Sequence, residues 1–165
     1  VCDSLVSAYD FMPTLLDYLG LKPLDMAKRP GVSFVPALLG QDFERPGGIV
    51  VMDEYGPNRM LRDQRYKYIA RYPYGPNALY DLKADPGEQD NLLAHGGFEA
   101  LEQELRGRLE KWFAKYVNPE IDGAREAVFG SGQIGLAGLW GAGVSAHSCD
   151  DYIKKNPNYA LYRVK

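Results

Sequence analysis

Apolar residues recur with a helical period at the start of the chain. Over 9–20 they fall at i, i+3, i+4 and i+7, which places them on one face of a helix. Asp10 is a good N-cap, Pro13 lies in the tolerated first turn, and Gly20 is a typical C-terminal stop. The apolar face consists of Met12, Leu15, Leu16 and Leu19. Because this face is hydrophobic, we expect it to be buried against another surface.

The middle of the chain changes to the two-residue period of strands. Strands are predicted at 49–52, 60–63, 65–72 and 78–82. A short helical turn around 36–40 precedes them, in a connecting region rich in proline and glycine. In the third strand, alternation separates Tyr66, Tyr68 and Ala70 from Lys67, Ile69 and Arg71. The spacing of strands and loops predicts a small antiparallel meander.

A second helical period covers 97–117. Its apolar stripe comprises Phe98, Leu101, Leu105, Leu109, Trp112, Phe113 and Tyr116, and charged residues occupy the opposite side. Asn118 is expected to end the helix, because a residue before proline disfavours helical backbone. The predicted fold class is α+β, a four-stranded antiparallel sheet covered by this long amphipathic helix.

Residues 120–150 follow neither period. The run 129–144 mixes glycines with apolar side chains, too apolar for a linker and too rich in glycine for a helix. No strand followed by a GxGxxG turn is present, which argues against a dinucleotide site. Two interpretations stay open, an arm that packs on another surface or a disordered tail. We favour the arm in the intact protein.

Composition and charge narrow the possible partners. The 165-residue chain has a net charge of -3 and scattered lysines and arginines, so nothing favours nucleic acid binding. No apolar run approaches the roughly 20 residues that cross a bilayer, and no signal peptide is visible. Cys2 and Cys149 form no disulfide framework or paired metal motif, and we expect two free thiols.

Several stretches, in a fixed order, resemble one enzyme family. The run 79–92, LYDLKADPGEQDNL, is similar to the C-terminal signature of the sulfatases, within the alkaline phosphatase superfamily. The segments 7–20 and 60–69, SAYDFMPTLLDYLG and MLRDQRYKYI, resemble a helix and a hairpin of that family, and 31–40 resembles a connecting motif. The resemblance, together with a chain that starts at Val1 without methionine, leads us to expect the C-terminal portion of a longer protein.

The resemblance implies that the chain divides into three parts. Residues 1–48 would be the end of the parent α/β sulfatase domain and a connector. The 9–20 helix would then pack on the central sheet of that alkaline-phosphatase-like upstream domain. Residues 49–118 would form a C-terminal subdomain of antiparallel sheet and helix, and 119–165 a glycine-rich arm and tail.

The family's catalytic groups are implied to lie outside this chain. Sulfatases use a formylglycine made from the first residue of a C/S-x-P-x-R motif, with a divalent cation, usually calcium. Neither Cys2 nor Cys149 is followed by that motif, and no serine satisfies it. The metal-binding aspartates and the later DHG or DNG segment are also absent. We therefore expect no catalytic residue, metal ligand or cofactor in this chain, which alone should be inactive, and expect calcium and formylglycine in the parent.

Four residues are candidates for substrate contact in the intact enzyme. Glu54 and Tyr55 follow a predicted strand and precede a loop, where a rigid scaffold positions binding groups. Arg62 and Lys67 could meet an anion, although such strand residues more often form ordinary ion pairs.

Acidic residues crowd the segment after the last strand: Asp81, Asp85, Glu88 and Asp90. Turn and cap roles account for them without a metal, and Asp85-Pro86-Gly87 has the composition of a tight turn with glycine at positive φ. His95 and His147 have no carboxylate at helical spacing and are expected on the surface.

Three functions stay open. The leading one is the tail of a sulfatase-like hydrolase whose partner is its own upstream domain. The second is the tail of a phosphonate monoester hydrolase or phosphodiesterase of the same superfamily. The third is a non-catalytic module that forms a homo-oligomer through the glycine-rich arm. The compartment, cytoplasmic or periplasmic, is undecided.

Overall fold

The computed structural model describes residues 3–22, 25, 27–53, 58–72 and 75–122. Its helices are α1 (Phe11–Tyr18), α2 (Val35–Leu38) and α3 (Glu99–Tyr116), and its strands are β1 (Ile49–Met52), β2 (Asn58–Arg62), β3 (Tyr66–Arg71) and β4 (Ala78–Asp81). Short 3-10 turns lie at Ala8–Asp10, Leu92–Ala94 and Pro119–Ile121. The predicted helices and strands up to residue 118 are confirmed, with small shifts at their ends.

The four strands form one antiparallel sheet in the order β1-β2-β3-β4, as the meander predicts. Its register aligns one residue from each strand into a continuous row: Val50, Leu61, Tyr68 and Leu79. All four side chains are buried. Because alternate residues point to opposite faces, this row defines the face of the sheet that carries the core.

Helix α3 closes the core over that row. Leu105, Leu109 and Phe113 are buried and cluster with the sheet residues, so the predicted stripe is confirmed. Tyr68 is fully buried, and its hydroxyl donates to Glu102 Oε1 of α3 at 3.3 Å. Burial and the nearby Glu102 charge raise the pKa of this phenol. Within the part of the chain that the structure describes, no helix is long and apolar enough to cross a membrane.

Side chains cover backbone groups at both edges of the sheet. At the β1 edge, Val50 N donates to the Tyr9 hydroxyl at 3.0 Å. At the β4 edge, Leu79 N donates to Asn91 Oδ1 at 2.9 Å, and Asn91 Nδ2 donates to Asn77 O at 3.2 Å. Covered edges resist pairing with another chain, which is the common hazard of a small open sheet.

The predicted turn after β4 forms, but its glycine does not have the predicted conformation. Glu88 N donates to Asp85 O at 3.2 Å, which closes the turn over Pro86 and Gly87. The residue at positive φ is Glu88, at 55°, and not Gly87. Lys67 Nζ lies 2.6 Å from Glu88 Oε2, so an ion pair holds the side chain of this strained residue.

Candidate functional site

A buried ion pair ties α1 to the connector. Asp10 is fully buried, and its carboxylate accepts from Ser7 N at 2.8 Å, from Val32 N at 2.9 Å and from the Arg45 guanidinium. The side chain of Arg45 is also almost fully buried. Asp10 stands at the N-cap position of α1, as predicted, but its carboxylate makes no capping hydrogen bond to that helix. Asp10 instead joins segments that are 22 and 35 residues distant.

Arg45 extends the same network toward the sheet. Its Nε donates to Gly48 O at 2.8 Å, just before β1, and its guanidinium lies 5.0 Å from the centre of the Tyr9 ring. Gly31 lies so close that an added Cβ would stand 2.2 Å from Tyr9 O. The connector therefore packs directly on the chain that enters α1, and the position of α1 relative to β1 is set by buried polar contacts.

The opposite side of α1 carries large apolar side chains in solvent. Leu15 is 44% and Leu19 56% exposed, as expected for a face that needs another surface, whereas Leu16 is half-buried. We define the α1–α2 apolar surface as Phe11, Leu15, Tyr18, Leu19, Leu38 and Leu39, all of which are exposed. An exposed apolar patch of this kind usually marks an interaction site.

Two of the predicted substrate-contact residues are neighbours in the sheet. Arg62 of β2 pairs in register with Lys67 of β3, on the face away from α3. Arg62 is exposed, and Lys67 is engaged with Glu88. Glu54 and Tyr55 lie outside the described residues. The structure thus brings two cations together, and their contact with substrate stays a prediction.

Asp81 holds the start of the acidic segment through hydrogen bonds. Arg65 donates to its Oδ2 through Nε at 2.9 Å and Nη2 at 2.7 Å, and Lys83 N and Ala84 N donate to its Oδ1. The Arg65 hydrogen bonds, followed by these backbone donors, lower the pKa of the Asp81 carboxyl despite some burial. Asp81 therefore acts in the turn, as predicted.

The other acidic residues of this segment have separate partners. Asp85 accepts from Asp90 N at 2.8 Å, and His95 Nε2 lies 2.6 Å from Asp90 Oδ1 on the surface. Within the described ranges, no group of three or more histidine, cysteine, aspartate or glutamate residues is arranged to hold a metal ion. Cys2, Cys149 and His147 fall outside those ranges.

Asp63 fastens the β2–β3 hairpin to α3. Asp63 accepts from Arg65 N and Tyr66 N, and Arg108 Nη1 of α3 lies 2.9 Å from its Oδ2. Burial acts to raise the pKa of Asp63, but these hydrogen bonds outweigh it and leave the pKa lowered. The charged contacts of the hairpin are thus structural, and they orient the strand that carries Lys67.

Comparison with known proteins shows which family the chain belongs to. Residues 1–115 match a family model described as N-sulphoglucosamine sulphohydrolase, C-terminal. The chain belongs to this sulfatase family. The sulfatase resemblance of the sequence is therefore confirmed, and the matched region includes α1, the whole sheet and nearly all of α3.

Individual relatives agree with the family match. The chain is 33% identical to a delta 4,5-hexuronate-2-O-sulfatase of Bacteroides thetaiotaomicron, over 64% of this chain and 23% of that protein. It is 29% identical to an ulvan-active sulfatase of Formosa agariphila, over 67% of this chain and 29% of that protein. A solved 2-O GAG sulfatase superposes with a TM-score of 0.54 at 33% identity, covering 64% of this chain and 24% of that one. The chain thus spans about a quarter of the length of these sulfatases.

Sequence reasoning missed the buried arginines. Arg45 stands in a connector with no periodic pattern, so nothing marked it as buried. Arg59 offered a signal, because alternation from Leu61 places it on the core face of β2, where a charge needs a partner. That partner is Asp122, 63 residues further along the chain.

Proposed function

We propose that this chain is the C-terminal part of a longer sulfatase, a hydrolase of sulfate esters. The match of residues 1–115 to a C-terminal sulfatase model carries the proposal. The chain's own residues do not fit the family's catalytic groups, since neither cysteine begins a C/S-x-P-x-R motif and the described residues contain no metal-ligand cluster. We assign the formylglycine and the calcium to the remainder of that protein, and no catalytic step to this chain.

Sulfated carbohydrate is the substrate class that the relatives favour. The relatives compared above are described as a hexuronate 2-O-sulfatase and an ulvan-active sulfatase. Arg62, exposed on the outer face of the sheet, supplies a positive charge that suits a sulfate group, and its neighbour Lys67 is already paired with Glu88. A phosphonate monoester or phosphodiester substrate is the second candidate, and the reacting group tested below separates it from a sulfate ester.

The first prediction concerns turnover. With calcium present, this chain alone is expected to leave an aryl sulfate intact, whereas the longer protein that carries it is expected to release sulfate. Parallel assays with an aryl sulfate and an aryl phosphonate monoester measure both activities. Metal-dependent sulfate release by the isolated chain would contradict the assignment of the chemistry, and a longer protein that prefers the phosphonate would favour the second candidate.

We propose that the α1–α2 apolar surface packs on the preceding domain of the same protein. The buried Asp10–Arg45 pair sets α1 in place, so its outward face is presented as a rigid surface. Burying each large apolar side chain there would contribute about 1.5–3 kcal/mol. The relatives are roughly three to four times longer than the region they share with this chain, which spans 23% and 29% of their lengths, so most of each relative lies outside that region.

A surface-charge substitution tests this packing. In the isolated chain the exposed surface is expected to drive self-association, and Leu15→Asp combined with Leu19→Asp is expected to reduce it. Sedimentation velocity over a range of concentrations measures the effect, with Lys111→Asp, at another exposed position on α3, as control. Unchanged association in the double variant would contradict the proposal. Loss of association only when 123–165 is deleted would favour the self-association module instead.

A further inference from the structure

Two basic side chains are direct neighbours on the outer face of the sheet. Arg62 of β2 and Lys67 of β3 are register partners, and β4 places Tyr80 beside Lys67 in the same row. Like charges directly opposite each other on neighbouring strands repel, so this arrangement destabilises the sheet unless an anion lies near it. Arg62 is exposed and, within the part of the chain that the structure describes, forms no ion pair.

The turn after β4 brings one carboxylate to this basic pair. Lys67 Nζ donates to Glu88 Oε2 at 2.6 Å, and the two side chains are 21% and 34% exposed. Glu88 keeps this position at a φ of 55°, a backbone conformation that costs free energy in a residue other than glycine. Backbone strain of this kind is concentrated at functional sites, which directs attention to the charge that Glu88 carries.

The turn itself forms without the Glu88 carboxylate. Glu88 N donates to Asp85 O at 3.2 Å, and Asp90 N donates to Asp85 Oδ2 at 2.8 Å. These contacts use the backbone and the side chain of Asp85. The Glu88 carboxylate can therefore be removed from the surface of the sheet while the turn that carries it stays closed.

We propose that Arg62 and Lys67 together bind the oxyanion of a sulfate ester, and that Glu88 shifts the preference of this site from doubly charged phosphate esters toward singly charged sulfate esters. Glu88 accepts from one of the three N–H donors of Lys67, and the Arg62 guanidinium has five donors of its own. Donors for an ester oxyanion therefore remain on both side chains. The choice of a sulfate ester as ligand rests on the proposed function.

The selection follows from the charges of the three side chains. Two cations and one carboxylate leave a single net positive charge beside the bound ester. A sulfate ester carries one negative charge, whereas a phosphate monoester carries about 1.5 to 2 near neutral pH. The carboxylate of Glu88 therefore repels a phosphate ester up to twice as strongly as a sulfate ester.

Binding of two esters of one sugar to the full chain tests this selection. Glucose 6-sulfate, glucose 6-phosphate and unmodified glucose are titrated at about pH 8 and constant ionic strength, so that the phosphate is mainly doubly charged. Changes in the amide NMR signals of Arg62 and Lys67 give each dissociation constant. Glu88→Gln is expected to shift the ratio of the two ester constants about fivefold toward the phosphate, since one charge at about 4 Å in water is worth that factor.

Two variants of the same turn serve as controls. Asp90→Asn also removes one negative charge, from a side chain that is 58% exposed and lies beside His95, and it is expected to change the ratio by less than about 1.5-fold. Glu88→Gly removes the carboxylate and relaxes the positive φ, so it is expected to act as Glu88→Gln does. Because both esters are measured on the same protein, a partly unfolded variant does not alter the ratio.

Removing a cation is expected to weaken both esters. Arg62→Ala and Lys67→Met are each expected to lower the affinity about fivefold or more, because a charged hydrogen-bond donor is lost. Affinities that stay unchanged in these two variants would overturn the proposal. So would a Glu88→Gln ratio that stays within the range of Asp90→Asn or moves toward the sulfate, binding of neither ester, or glucose that binds as tightly as its esters. Sulfate release by the longer protein is measured separately, so failure of this inference is distinguishable from failure of the proposed function.

Discussion

Replacement of Asp10 by alanine is expected to lower the free energy of unfolding by about 3–5 kcal/mol, which is typical of removing one partner from a buried ion pair. Asp10 is fully buried, and the side chain of Arg45 is 3% exposed, so the substitution strands a guanidinium in the interior. It also removes the acceptor of two backbone N–H groups, Ser7 N and Val32 N. Denaturant unfolding followed by circular dichroism measures the loss.

Two companion variants separate charge from packing in this experiment. Asp10→Ala with Arg45→Met removes both charges and is expected to recover part of the lost stability. Asp42→Ala changes an exposed carboxylate of the connector and is expected to stay within about 0.5 kcal/mol of the parent chain. An Asp10→Ala chain as stable as the Asp42→Ala chain would show that the pair does not hold α1.

Leu109→Ala is expected to cost about 2–5 kcal/mol, because it leaves a cavity beneath α3. Leu109 is 0% exposed and belongs to the cluster that joins α3 to the row of Val50, Leu61 and Tyr68. The helix itself is not weakened, since alanine has the highest helix propensity. The loss is therefore expected to appear in the cooperative unfolding of sheet and helix together, measured by the midpoint of denaturant unfolding.

Leu15→Ala is the matched control, because it makes the same substitution within a helix at a position that is 44% exposed. We expect it to change the stability of the isolated chain by about 0.5 kcal/mol or less. A large loss at Leu15 would mean that the α1–α2 apolar surface is already buried in the isolated chain. A small loss at Leu109 would contradict the described packing of α3.

The local sequence pattern was sufficient to predict the helices and strands, because each pattern repeats within a few residues. Hydrophobic alternation predicted β1 to β4, and the apolar stripe predicted α3, since burial of one face is a local requirement on the sequence. Gly20 ends the first helix as predicted, at a φ of 64° that glycine adopts without strain. The turn at Asp85 formed for a similar reason, although the positive φ fell on Glu88, where the pair with Lys67 is a tertiary contact.

The sequence pattern predicted only part of each candidate surface. Helical periodicity showed that Leu15 and Leu19 share a face, but it does not state what covers that face, because periodicity reports a residue's direction and not its surroundings. Strand alternation likewise placed Arg62 and Lys67 on strands without showing that they are register neighbours. That required the pairing of β2 with β3.

By itself, then, the sequence determined the elements, their order as a meander with a covering helix, and the sulfatase family, through residues that lie close together along the chain. The tertiary structure alone decided the partners of its buried charges. Asp10 meets Arg45 over 35 residues and Arg59 meets Asp122 over 63. No periodic signal in the sequence spans such distances. Each pair forms only when folding removes both groups from water, because a buried charge then needs a partner of opposite charge.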